Sequence, residues 1–151
     1  MKKIALIISV FAVFAMVFSS CSKYEEGPAL SLKTKDARVE GDYTVDKVLK
    51  NGKEDETLTE EQEGNEYEFT KDGKGTFSAS YVIQGITISM DGDLEWKFND
   101  DKTKMSIRIY DETSEEWDDW EEHTILKLTD EEMWLENYDD NDDLIETHYV
   151  E

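Results

Sequence analysis

Few side chains in this 151-residue chain could do chemistry once their spacing is considered. Cys21 is the one thiol, and His123 and His148 are the two imidazoles. Zinc would need carboxylate co-ligands beside them, and no His or Cys stands at ligand spacing. Gly-x-Ser-x-Gly, phosphate-loop and dinucleotide fingerprints are absent from the sequence. With 38 Asp and Glu against 16 Lys and Arg, two neighbouring carboxylates say little. A catalytic pair also needs a cleft and opposed pKa environments. Asp139-Asp140-Asn141-Asp142-Asp143 offers the oxygen ligands that calcium prefers. It fails the EF-hand pattern, with Leu144 in place of the glycine and Val150 in place of the bidentate Glu, and reads as a solvated turn. The chain is therefore expected not to be an enzyme and to need no cofactor or metal.

The formal charge of −22 excludes nucleic acid as a partner, since binding it requires Lys and Arg to displace counterions. Direct docking on anionic lipid is disfavoured for the same reason. The acids fall in runs at 54–56, 60–63, 118–122 and 139–143, which suits solubility and protection against edge-to-edge strand pairing. Four Trp, seven Tyr and six Phe, three of the Phe within residues 1–20, supply enough bulk for a core. Disorder is thereby disfavoured despite the charge.

At the N-terminus, Lys2 and Lys3 precede residues 4–18, which are apolar apart from Ser9. This is the layout of a secretory signal, too short to span a bilayer, which takes about 20 apolar residues. It ends in Phe18-Ser19-Ser20-Cys21, which resembles the lipobox of bacterial lipoproteins. Phe18 replaces the usual Leu, as in signals of the Bacteroidetes group. That resemblance implies that residues 1–20 are removed and that Cys21 carries the lipid. It explains a lone Cys in a secreted chain, and long acyl chains anchor at about 0.8 kcal/mol per buried CH₂. Loss of Lys2 and Lys3 leaves the mature chain two charges more negative than −22. Residues 21–37 read as a lipidated tether, with one or two helical turns near 31–38, and Tyr24-Glu25-Glu26 resembles acidic export signals to the cell surface. The expected location is the outer membrane, lipid-anchored, with the leaflet left open between the cell surface and the inner side.

From Gly41 the hydrophobic period is two, the strand period. Tyr43 and Val45 alternate with polar neighbours, and the phase slips at Val48-Leu49, predicting a bulge there. Asn51-Gly52 is a turn pair, and residues 53–64 read as an acidic loop. Tyr67 and Phe69, then Phe77, Ala79, Tyr81 and Ile83, form a hairpin. Parity flips at Gln84-Gly85, by a bulge in one long strand or by a tight hairpin. Asp91-Gly92 reads as a further turn. Leu94, Trp96 and Phe98, then Met105, Ile107 and Ile109, continue the alternation. Strands near 121–129, 133–138 and 144–150 follow. Eight or nine short strands with local connections and no helix of normal length predict an antiparallel up-and-down barrel over residues 38–151.

Gly41-Asp42-Tyr43-Thr44-Val45 opens the first strand as lipocalins open theirs, with Tyr43 in place of the usual Trp. Gly92-Asp93-Leu94-Glu95-Trp96-Lys97-Phe98, residues 124–129 and Glu132-Met133-Trp134-Leu135 resemble the lipocalin-like lipoproteins of Bacteroidetes. The resemblance runs from about residue 23 to the C-terminus. It implies an all-β, eight-stranded lipocalin-like barrel and, in a family whose members mostly lack a known ligand, little about cargo.

Two functions are then weighed. In the first, the barrel binds a small hydrophobic ligand. The candidate contacts are Tyr43, Tyr67, Phe69, Phe77, Tyr81, Trp96, Phe98 and Trp134, expected to point inward with Val45, Met105, Ile107 and Leu126. Their bulk favours a filled or shallow interior, and any pocket is expected to be apolar and open at one end. In the second, the barrel is a filled protein- or glycan-interaction module, with Trp117 and Trp120 as the contact aromatics. A loop whose Trp side chains cap the barrel end is the simpler role for that pair. The protein is expected to be a monomer.

Overall fold

Alternate residues of each long strand fall on one buried face, and that alternation builds the molecule. The structure is a computed structural model and describes Tyr24, residues 33–83 and residues 86–151. The signal segment, Cys21 and most of the tether lie outside the described residues. The elements are α1 (Asp36–Val39), β1 (Gly41–Lys50), β2 (Lys53–Glu54), α2 (Glu56–Gln62), β3 (Glu66–Thr70), β4 (Lys74–Ile83), β5 (Ile86–Phe98), β6 (Lys104–Asp111), β7 (Glu116–Trp117), β8 (Glu121–Leu128), β9 (Glu132–Tyr138) and β10 (Leu144–Val150). Eight of the strands form an antiparallel sheet in the order β10-β9-β8-β6-β5-β4-β3-β1, and β10 pairs with β1 to close it. The expected up-and-down barrel is what the chain forms, with β2 and β7 as two-residue additions.

The parity slip in β1 comes two residues earlier than expected. The register shifts between Val45 and Lys47, so Asp46 is the extra residue and Val45 and Val48 both face inward. A second shift, between Ile125 and Lys127, makes Leu126 the extra residue of β8. Ile125 and Leu128 therefore fill the interior, and Leu126, expected inside, is only half-buried. Gln84 and Gly85, where the parity flip was placed, lie outside the described residues; on either side of them β4 and β5 pair as a hairpin, with Ile83 opposite Ile86. Asp91-Gly92 is not a turn but lies within β5, with Gly92 opposite Phe77. A Cβ at Gly92 would stand 2.8 Å from the Tyr110 carbonyl oxygen, so close approach of β6 requires this glycine. Asn51-Gly52 does turn the chain, with φ of 53° and 76°.

Half of the expected acidic loop is a helix. Asp55 caps α2 by accepting from the Leu58 amide at 3.1 Å. The Thr59 hydroxyl accepts from the Val48 amide at 2.9 Å and donates to the Asp55 carbonyl. β1 pairs with β3 only from Gly41 to Thr44, so α2 covers the gap that opens between them, with Leu58 on the core.

One end of the barrel is closed. Val39 is fully buried there, and the Tyr43 hydroxyl donates to the Arg38 carbonyl at 2.7 Å. The Arg38 guanidinium donates to the Leu128 carbonyl at 3.2 Å, and the Trp96 indole to the Thr70 carbonyl at 2.9 Å. Tyr24, from the expected tether, is also buried at this end and donates to the Lys102 carbonyl at 2.8 Å. Edge-to-face contacts link Tyr43, Phe69, Trp96 and Phe98 above it.

Toward the other end, β4 and β5 outrun their neighbours. β3 pairs with β4 only as far as Ser78, and β6 with β5 only as far as Leu94. The overhanging ribbon exposes Ile86, Ile88 and Met90. Truncation should separate ribbon from core. Leu94→Ala is expected to cost about 2–5 kcal/mol in urea unfolding, and Ile88→Ala to stay within about 0.5 kcal/mol. Equal losses would show that the ribbon shares the core.

Candidate functional site

Strand parity carries polar residues into the barrel mouth. The inner face of β8 reads Leu128 and Ile125 from the closed end, then His123 and Glu121. On β9 it reads Met133 and Leu135, then Asn137; on β10, Tyr149, Thr147 and Ile145; on β1, Val48 and then Lys50. Leu58 and Gln62 come from α2, and Tyr67 from β3. The mouth-side members of these rows (Lys50, Glu121, His123, Asn137, Ile145, Thr147 and Tyr149), with Leu58, Gln62, Tyr67 and Asp139, line a cavity of about 350 Å³. That volume is at the lower end of the range for small-molecule sites, about 300–1,000 Å³.

Burial sets the charge states inside. The His123 side chain is 12% exposed, and desolvation pushes its pKa below the usual 6.5 against the opposing pull of Glu121. Glu121 accepts from the Asn137 amide with one oxygen, and its other oxygen is 4.0 Å from His123 Nε2. Burial pushes Tyr67 up to about 12 and Tyr149 well above its usual value, so both hydroxyls stay neutral. Their rings meet edge to face at 5.3 Å. Asn65 lies against the Tyr67 hydroxyl and is 5% exposed, and its side-chain oxygen has no hydrogen-bond partner among the described residues. The Lys50 ammonium is held by Asp143 at 2.7 Å and Asp139 at 3.6 Å. The Lys50 contact lowers the Asp143 carboxyl pKa, and the hydrogen bond from the Asp143 amide, at 2.9 Å, lowers that of Asp139. The acidic turn 139–143 is thus a lysine-clamped corner of the mouth. Hollows of about 380 and 400 Å³ also lie on the outer wall. Outward side chains such as Glu68, Thr76 and Asp93 edge them, and interior positions do not enclose them.

Tyr43, Phe69, Phe77 and Trp96 are buried core, and Tyr67, Tyr81 and Phe98 pack against it. Of these only Tyr67 lines the mouth cavity. Trp134 faces outward, because the bulge at Leu126 and the pairing of Met133 with Leu128 put its neighbours inside. It stacks on His148 at 3.9 Å, and His148 contacts Glu146 at 2.5 Å. Trp117 and Trp120 do not cap the barrel end. They lie over the outer wall of β5 and β6, with the Arg108 guanidinium 4.7 and 4.5 Å from their ring centres and Lys97 at 3.7 Å from Trp120. Glu95 holds that guanidinium at 2.9 and 2.5 Å. His123, Glu121, Asn137, Lys50 and Thr147 were not singled out as site residues from sequence. Their signal was parity, since His123 is two residues from Ile125 and Asn137 two from Leu135.

No protein-family model and no curated protein matches the sequence. Among solved structures, the chain is similar to bovine odorant binding protein complexed with its natural ligand, at 10% identity and a TM-score of 0.44. The alignment covers 81% of this chain and 76% of that one. The same bovine protein with a selenium-containing odorant aligns at 10% identity and TM-score 0.44, over 81% and 75% of the two chains.

A buried neutral imidazole makes the fold acid-sensitive. With its folded pKa depressed, His123 favours folding above the unfolded value near 6.5, and this is lost as pH falls through the folded pKa. The imidazole should titrate below 6.5 by NMR, and His123→Gln should flatten the stability slope over that window. A midpoint at or above 6.5 would contradict the burial argument.

Proposed function

We propose that this protein is a lipid-anchored cell-envelope binding protein that holds a small ligand in its barrel mouth. The cavity lined by His123, Glu121, Asn137, Thr147, Tyr67 and Tyr149 carries this reading. Below the mouth the described interior side chains are packed, and the mouth has room for a guest. Its lining departs from the apolar pocket expected from the sequence. A wholly hydrophobic guest would strip water from these polar groups without replacing their hydrogen bonds. A guest with its own polar head would replace them.

Cys21 supplies the anchor in this reading. Tyr24 is three residues from Cys21 and docks on the closed end. Three residues reach at most about 11 Å, so the closed end faces the bilayer and the mouth faces away. A second reading, as a partner-contact module, draws on exposed Ile86, Ile88 and Met90. The glycan form of that reading, through Trp117 and Trp120, has less support because Arg108 and Lys97 sit on the ring faces a sugar would stack against.

Two outcomes are expected. Ligand-observed NMR with a library of small fragments should give hits that disappear with Thr147→Trp, which fills the cavity, in a variant that still melts cooperatively. Hits that survive the filling would place binding elsewhere. Cys21→Ser should abolish incorporation of labelled palmitate and release the protein from membranes; unchanged membrane retention would remove the anchor from the account.

A further inference from the structure

We propose that the guest of the mouth is a small water-soluble organic cation, an amine, with Glu121 as its counter-ion. This rests on the reading of the mouth as a ligand site and goes on to name the chemistry of the guest.

The charges that face the cavity point one way. Among the described residues that line it, Lys50 is the one cationic side chain, and two carboxylates, Asp139 and Asp143, already share that ammonium. Among the described residues, Glu121 has no Lys or Arg partner. Its contact with Asn137 is to a neutral amide, and His123, 4.0 Å away, is held neutral by burial. The cavity therefore carries net negative charge at neutral pH. An incoming carboxylate or phosphate would meet Glu121 and Asp139 with no uncommitted cation among the described lining residues to receive it. A protonated amine would pair with Glu121, a charge-assisted contact stronger than a neutral hydrogen bond.

Two further observations agree. The rings of Tyr67 and Tyr149, with Leu58 and Ile145, provide an apolar wall for a short hydrocarbon or aryl group, and tyrosine faces attract cations. The field of a chain with formal charge −22 concentrates cations from solution and repels anions. Orientation separates a dissolved amine from a lipid source. With Tyr24 pinned to the closed end, the mouth opens toward the aqueous side, so a guest reaches it from solution.

The test compares 2-phenylethylamine, 2-phenylethanol and 3-phenylpropionate, which share an aryl group and differ in charge. Each is titrated into the mature lipoprotein in neutral detergent micelles at low salt. Binding is followed by calorimetry and by the ring resonances of His123. The amine should saturate and shift His123, and the alcohol and acid should bind at least tenfold more weakly. Glu121→Gln should weaken the amine by about ten- to a hundred-fold, the usual worth of a charged contact. Glu112→Gln, which removes one charge from an exposed loop, should change affinity less than twofold. Asn137→Asp, which adds a carboxylate beside Glu121, should tighten the amine. If the alcohol or acid saturates at His123 and the amine does not, the cation proposal falls and the mouth stands as a ligand site. An equal effect of Glu121→Gln and Glu112→Gln would reduce the preference to bulk charge and overturn the counter-ion role. If no probe shifts His123, the amine proposal is overturned; loss of the fragment hits would then remove the mouth site as well.

Discussion

The pairing of β1 with β10, from Thr44 opposite Val150 to Lys50 opposite Ile145, is the contact on which the rest depends. It converts a sheet with two exposed edges into a closed wall. Closure fixes which residues face inward all round the ring, because a strand that slipped by one residue would turn its whole apolar set outward. Two strands cannot keep strict alternation over their length, and each carries one extra residue, Asp46 in β1 and Leu126 in β8. With eight strands the enclosed space is narrow enough for side chains to fill. Large residues such as Tyr43, Phe69 and Trp96 do fill it from the closed end upward.

The same alternation that packs the closed end makes the mouth polar. His123 continues the inner row of Ile125, and Asn137 continues that of Leu135. Polar groups there are desolvated enough to hold His123 neutral and to keep Tyr67 and Tyr149 protonated, while Glu121, with 64% of its side chain exposed, stands at the open rim. One barrel thus holds two environments: an apolar plug that stabilises the fold, and a small acidic chamber lined by polar side chains. The outer wall has its own logic, with cations laid over Trp117, Trp120 and Trp134. These contacts shield aromatic area on a surface that is otherwise strongly acidic.

Much of this was legible in the residues. The period-two pattern predicted the strands, the hairpin turns predicted their antiparallel order, and the buried aromatics followed from parity. The errors trace to local physics that the pattern hides. Leu126 is the extra residue of β8, so Ile125 and Leu128 face inward on either side of it, and on β9 Trp134 alternates with the buried Met133 and Leu135. Gly92 looks like half of a turn pair because close approach by the Tyr110 backbone and a turn both demand glycine. α2 was hidden in an acidic stretch because one apolar residue, Leu58, and an Asp55 cap suffice when β1 supplies the remaining contacts. The mouth was hidden by abundance: Glu121 is one carboxylate among 38, and only the fold distinguishes it.

The central claim is that the interior is divided into a dry plug and a wet, polar chamber open to a guest. A crystal structure at a resolution that shows ordered water tests it most directly. The account predicts solvent or a bound molecule hydrogen-bonded among Glu121, His123, Asn137 and Thr147, and none between Trp96, Met105 and Leu135. A mouth closed over by Leu58 and Ile145, with no ordered density between those polar groups, would contradict it.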